Sequence, residues 1–276
     1  MTLSEKKIEI IVFLVLFLTF AYFYQGGGAN QNARLGQMRA VVEKGQLYYR
    51  GIRVSTHDTI TRRGEVYPNK APGMSLAGIG PYFAISRLRG VLTALGSEDF
   101  YHLLSCYLTT ILLVALPASF GAVIFFRFLG LFHAKITPRL ICTLGLFLGT
   151  PAFAYSTVLY GHMVSSVCSL ISFYLLYKYL VHSPQARKGN RFLFLAGLSG
   201  GWAVVSEYPV LLIVTTLSVF AYCAALYRSR RMAALSCLTG GLAAGTAGAF
   251  LFFQYKLGNV LSFLTAEPIP VEIYSA

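Results

Sequence analysis

A carboxylate beside a histidine, and a lysine held between two prolines, are the residues of this chain best placed to do chemistry. The carboxylate is Asp58, in Ser55-Thr56-His57-Asp58-Thr59, and a carboxylate is what an attacking hydroxyl needs to give up its proton. Glu98 and Asp99 form a second acidic pair. The lysine is Lys70, in the turn Tyr67-Pro68-Asn69-Lys70-Ala71-Pro72-Gly73, which would present one cation to a phosphate. Two more ionisable residues interrupt apolar sequence: His162 in Tyr160-Gly161-His162-Met163 and Glu207 in Ser206-Glu207-Tyr208-Pro209. Ionisable groups at membrane depth are costly, which makes them functional candidates. Plainer roles stand beside these. His162 and Glu207 can each cap a helix end, Glu207 just ahead of Pro209 suiting a helix start, and loop carboxylates are most often merely solvated.

The elements that must position these residues follow from composition. The 276 residues are 56% hydrophobic and 12% charged, with a mean hydropathy of +0.62, where soluble domains carry about 25% charged residues. An all-α polytopic membrane protein is expected. Seven runs approach the roughly 20 apolar residues that a span requires: 8–24, 103–128, 140–159, 163–180, 192–206, 209–227 and 233–255. The first follows Lys6 and Lys7 as a signal peptide would, but it lacks a small-residue cleavage site, so a retained helix is expected. The net charge of +13 resides in short basic clusters between apolar runs. That arrangement belongs to membrane topology, and no nucleic-acid partner is expected.

Four basic clusters set the orientation: Lys6 and Lys7; Arg127, Lys135 and Arg139; Lys178, Arg187, Lys188 and Arg191; and Arg228, Arg230 and Arg231. With seven spans all four share one side, and the connections at 160–162 and around Glu207 on the other side contain no lysine or arginine. The N-terminus is therefore expected in the cytoplasm. The chain divides into helix one (1–24), a long external loop (25–102), helices two to seven (103–256) and an external C-terminal segment (257–276).

The external loop carries ten lysines and arginines against five acids. Such an excess suits either an anionic lipid surface or a site for a phosphate-bearing lipid. Within the loop, Leu35, Met38 and Val42 repeat at helical spacing with Arg39 and Glu43 as an i,i+4 pair, predicting a helix over 32–45. Residues 47–54 and 65–67 read as extended. The apolar stretch 74–86 is too short to span and is expected to lie flat on the outer surface or to re-enter it, as an interfacial helix. Gly145 with Gly149, Gly197 with Gly201 and Gly241 with Gly245 have the small-xxx-small spacing of close helix packing. The glycines at 26–28 lack the strand and helix of a nucleotide-binding loop. The five cysteines have no paired spacing, so neither a disulfide nor a metal site is expected.

The whole pattern resembles the polytopic lipid-linked-sugar glycosyltransferases of the GT-C fold, the family of protein mannosyltransferases and aminoarabinose transferases. The likeness rests on helix one entering a long external loop, on Asn30-Gln31-Asn32-Ala33-Arg34 leading into Met38-Arg39-Ala40-Val41-Val42-Glu43-Lys44-Gly45, on the Lys70 turn, on Tyr155-Ser156 with Gly161-His162, and on Glu207-Tyr208-Pro209. It implies a GT-C-like core module in a bacterial plasma membrane and a polyprenyl-phosphate-linked sugar as donor. It also implies that Arg34 and Lys70 hold the donor phosphate, with His162 lining the substrate site. The family's acidic pair just after helix one is replaced here by Gln31 and Asn32, which passes the role of base to Asp58, with Glu207 and Asp99 in reserve. No cofactor is implied, a divalent metal being left open; membrane lipid and a partner subunit are further expected partners. A non-catalytic handler of lipid-linked glycans, such as a flippase subunit, is the alternative from another class.

Overall fold

A computed structural model describes residues 4–62, 64–182, 189–226 and 235–247. The described residues are mostly helical, at 78%, with one two-stranded hairpin among them. Helix α1 (Glu5–Tyr22) buries Ile8, Val12, Leu16 and Phe20. That i,i+4 stripe lies on one face of a helix, while Ile10, Leu14 and Leu18 on the other faces stay exposed. Helix α2 (Ala29–Lys44) stops at Gly45, whose left-handed backbone (φ 65°) lets its N–H reach back to the last turn. The hairpin β1 (Thr59–Arg62) and β2 (Glu65–Pro68) turns through Gly64, at φ 78°. Two helices, α3 (Gly73–Ser86) and α4 (Arg89–Leu95), complete the loop region.

Helices α5 (Glu98–Thr110) and α6 (Leu116–Leu129) join through a π-helical turn over Ile111–Ala115 into one apolar helix of 32 residues. Ser97 caps its start by accepting a hydrogen bond from the Phe100 N–H at 3.2 Å. Glu98 and Asp99 occupy its first turn, where negative charge complements the helix dipole. Helix α7 (Ile136–Gly149) breaks at Thr150, which caps the short α8 (Pro151–Tyr155). Then come α9 (Gly161–Leu176), α10 (Gly189–Ser206), α11 (Leu211–Leu226) and α12 (Leu235–Ala247).

The seven apolar runs are largely helical where they are described, though 140–159 breaks at Thr150 and leaves helix after Tyr155. Three helical stretches are long and apolar enough to cross a membrane among the described residues: Glu98–Leu129, Gly161–Val181 and Tyr208–Ala225. The last is only 17% buried, leaving Leu212 at 77% exposure, a disposition suited to an apolar surrounding. Arginines 187, 228, 230 and 231, Lys188, the end of the seventh run and the C-terminal segment 257–276 lie outside the described residues.

The main core joins α1, α2, α3, the α5–α6 helix, α7 and α9 through Leu16, Phe20, Met38, Met74, Val114 and Phe126. One end of this bundle is stapled by ion pairs. Arg127 forks onto the Glu9 carboxylate at 2.8 and 2.7 Å, and Arg139 pairs with Glu5 while its guanidinium lies 3.9 Å from the Phe126 ring centroid. Phe128 and Phe132 contact Tyr177 at the same end, which brings Lys178 of the third basic cluster to the end that holds the first two. At the opposite end, which we call the loop end, the Gln25 N–H donates to the Thr157 carbonyl at 3.0 Å.

Two local expectations are corrected. Residues 47–54 are coil and turns, and the strand that pairs with 65–68 is 59–62 instead. Gly51, at φ 73°, bends the chain there. Gly197 and Gly201 do pack on α12, where added β-carbons would strike its backbone, but a β-carbon on Gly145 or Gly149 would meet no packing partner within 4 Å among the described residues. Those two face away from the described residues.

Candidate functional site

Four separate segments bring five of the predicted residues to the loop end. Arg34 lies on α2, and its side chain is 1% exposed. Burial pushes its guanidinium below the ordinary arginine range, and the charge of Glu207, then Asp58 and Tyr160, pulls it back. All three of its guanidinium nitrogens are used. Nη2 donates to Glu207 Oε1 at 2.7 Å, Nε to Asn30 Oδ1 at 2.9 Å and Nη1 to the Ala71 carbonyl at 3.4 Å.

Glu207 stands in the elbow between α10 and the turn Tyr208–Val210, where Pro209 prevents α10 from continuing. Its Oε1 is shared, with His162 Nδ1 3.6 Å away in the first turn of α9. Close approach depends on two glycines. A β-carbon on Gly161 would collide with the Glu207 carboxylate, and one on Gly73 would lie 2.8 Å from the Ser206 backbone nitrogen. The second contact docks the start of α3, and the Lys70 turn just before it, onto the end of α10.

The hairpin supplies the second pair. Thr59 faces Pro68 in its register, and one step further out the Asn69 N–H donates to the Asp58 carbonyl at 3.1 Å. The next residue is Lys70, whose Nζ then lies 2.9 Å from Asp58 Oδ1. The hairpin is fastened to α2 through Tyr49, whose N–H donates to the Val66 carbonyl at 2.9 Å and whose hydroxyl donates to the Ala33 carbonyl at 2.7 Å; burial raises the pKa of that phenol. Asn32 adds a hydrogen bond from its Nδ2 to the Ser55 carbonyl at 2.8 Å.

Arg34, Asp58, Lys70, Glu207 and His162 thus form one electrostatic group. Each predicted phosphate-holding cation is bonded to one of the two predicted catalytic carboxylates. His57 is exposed outside this group. Glu98 pairs with Arg89 at 3.0 Å, in keeping with a helix-start role. Of the two residues where the resembled family has its acids, Asn32 clamps the loop backbone and Gln31 is buried, its Oε1 lacking a hydrogen-bond partner among the described residues.

Sequence reading missed several members. Asn30 stands one helical turn before Arg34, a spacing that could have exposed it. The Ala71 carbonyl left no side-chain signal. Tyr155 and Tyr160 pack edge-on to His162, with centroids 4.9 and 5.8 Å away, forming an aromatic wall beside Glu207. No protein-family model matches the chain, and no curated protein or solved structure was found to be similar to it.

Proposed function

We propose that this protein is a membrane glycosyltransferase with seven spans, moving a sugar from a polyprenyl-phosphate donor to an acceptor hydroxyl at the loop end. One observation carries the reading: Arg34 and Glu207, 173 residues apart, meet at 2.7 Å within the same group as Lys70 and Asp58. Two cations and two carboxylates so placed match the needs of a reaction that releases a phosphate and takes up a proton.

In the proposed reaction the donor phosphate competes for Lys70. As Lys70 turns to it, Asp58 loses its ionic partner and becomes available as the base. The acceptor oxygen bonds to the anomeric carbon, its proton passes to Asp58, and the bond from that carbon to the phosphate oxygen breaks with its electron pair on the phosphate. Arg34 stays held by Glu207 and contributes positive potential near the leaving group. The pairing of both carboxylates with cations also favours a second reading, a non-catalytic protein that handles lipid-linked glycans.

Mass spectrometry of lipid-linked sugars and envelope glycans from cells with and without the protein separates the two. Accumulation of one polyprenyl-phosphate sugar, with loss of that sugar from an envelope glycan, is expected on deletion. Unchanged glycans would reject the transferase.

The proposed topology puts the N-terminus in the cytoplasm and the loop end outside. Single cysteines at Thr61 and Gly189, in a cysteine-free background, should react from outside intact cells at 61 and stay protected at 189. Labelling of position 189 would overturn the orientation.

A further inference from the structure

Helix α2 has a second functional face. Arg39 follows Arg34 by five residues, about 140° around a helix of 3.6 residues per turn, and it points into a cleft of about 510 Å³ on the side away from Glu207. The cleft lies between the end of α1, α2, the segment 53–55 and the start of α5, and Arg39, Arg53 and His102 line it together with Leu35, Leu103 and Tyr24. Gly36 lets the 53–55 segment approach, since a β-carbon there would lie 2.7 Å from a Val54 methyl.

The charges in this cleft do not cancel. Arg39 is offset by Glu43, 3.4 Å away, and also donates to the Arg53 carbonyl at 3.2 Å. Among the described residues no carboxylate lies within 4.0 Å of the Arg53 guanidinium, and its side chain is exposed. One positive charge is therefore left over, flanked by a second guanidinium and an imidazole. A single negative charge with several acceptor oxygens is the complement, which is the character of a phosphodiester.

The cleft also continues toward apolar ground. Tyr24 on its wall packs edge-on against Tyr107, with centroids 5.2 Å apart, and Tyr107 in turn lines a shallow groove with Leu18, Tyr22 and Phe23. Leu18 is 64% exposed and Leu103, at the mouth of the cleft, 62%. A cation-lined cleft beside an exposed apolar groove fits a lipid better than a soluble anion.

We infer that this cleft holds the headgroup of an anionic glycerophospholipid, its phosphodiester on Arg53 and Arg39 and an acyl chain along the Leu18, Tyr22, Phe23 and Tyr107 groove. The inference goes beyond the proposed transfer reaction and stands without it, because none of the cleft residues belongs to the Arg34 and Lys70 group.

The test is native mass spectrometry of the delipidated full chain in detergent, titrated separately with phosphatidylglycerol, phosphatidylcholine, inorganic phosphate and a polyprenyl phosphate. The parent should retain one phosphatidylglycerol in preference to phosphatidylcholine. Arg53→Gln should weaken that binding about tenfold, the scale of one charge-assisted contact, while Arg53→Lys retains most of it. Arg87→Gln, which removes an exposed arginine outside the cleft, should change nothing. Arg53 is exposed, so an unchanged melting temperature of Arg53→Gln is expected and separates lost binding from lost folding. Equal binding of both phospholipids, or equal losses from Arg53→Gln and Arg87→Gln, would reject the site. Saturation by inorganic phosphate at the same concentration as phosphatidylglycerol would reject the lipid, and tighter binding of the polyprenyl phosphate would reject this choice of occupant.

Discussion

The two faces of α2 hold the same kinds of residue in opposite electrostatic states. On one face Arg34 is buried with each of its three nitrogens hydrogen-bonded, and Lys70 nearby is bonded to Asp58. On the other, Arg53 lines an open cleft and has no carboxylate partner among the described residues. A buried guanidinium cannot be left alone, since the cost of an unpaired charge away from water is several kcal/mol. An exposed one can, since water solvates it until an anion arrives. The paired face is suited to a reaction in which partners exchange, and the open face to resident binding.

The largest effect that would sharpen this contrast is on stability. Glu207→Ala strands Arg34 in a buried position, and removing one member of a buried ion pair costs on the order of 3–5 kcal/mol. Thermal or denaturant unfolding of the detergent-solubilised protein should register it, whereas Arg53→Gln should leave the midpoint unchanged. Similar midpoints for the two variants would mean that the faces do not differ as described.

Next in size is the rate. Asp58→Asn preserves shape while removing the basic oxygen, and a positioned base contributes about 10²–10⁴ to turnover. Transfer from a polyprenyl-phosphate sugar should fall by that order with donor binding kept. If Asp58→Asn, Glu207→Gln and Asp99→Asn each retain full activity, none of these carboxylates is the base and the exchange mechanism fails.

A smaller effect belongs to Lys70. Lys70→Ala should weaken binding of a polyprenyl-phosphate sugar by about tenfold, one charged contact, with expression and insertion preserved. A general basic surface makes a different forecast, in which Arg62→Ala and Arg63→Ala cost as much as Lys70→Ala. Equal losses would dissolve the distinction between a site and a charged surface.

Much of the scaffold was legible from local pattern. The stripe of Leu35, Met38 and Val42 announced α2, though the helix starts at Ala29, before that stripe begins. The apolar stretch 74–86 forms α3 within one residue of its expected start. Arg39 and Glu43 do pair. The hairpin was only half legible: 65–67 is extended, but its partner 59–62 was not foreseen, because strand pairing depends on a second segment and on the turn at Gly64 between them. Glycine spacing alone could not tell Gly197 and Gly201, which touch α12, from Gly145 and Gly149, which face no packing partner among the described residues.

By itself the sequence determined the composition of the solvent this chain suits, the places where helices form, the glycines and prolines that end them, and the residue types able to hold a phosphate or take a proton. These are local properties, written in period and side-chain chemistry. Only the tertiary structure decided which cation meets which carboxylate: Arg34 with Glu207 across 173 residues, Lys70 with Asp58 across a hairpin, and Arg53 with neither. The reason is that an ion pair is a short-range contact between ends of long side chains. Its members are chosen by how helices pack and how closely Gly73 and Gly161 let backbones approach, and spacing along the chain does not carry that information.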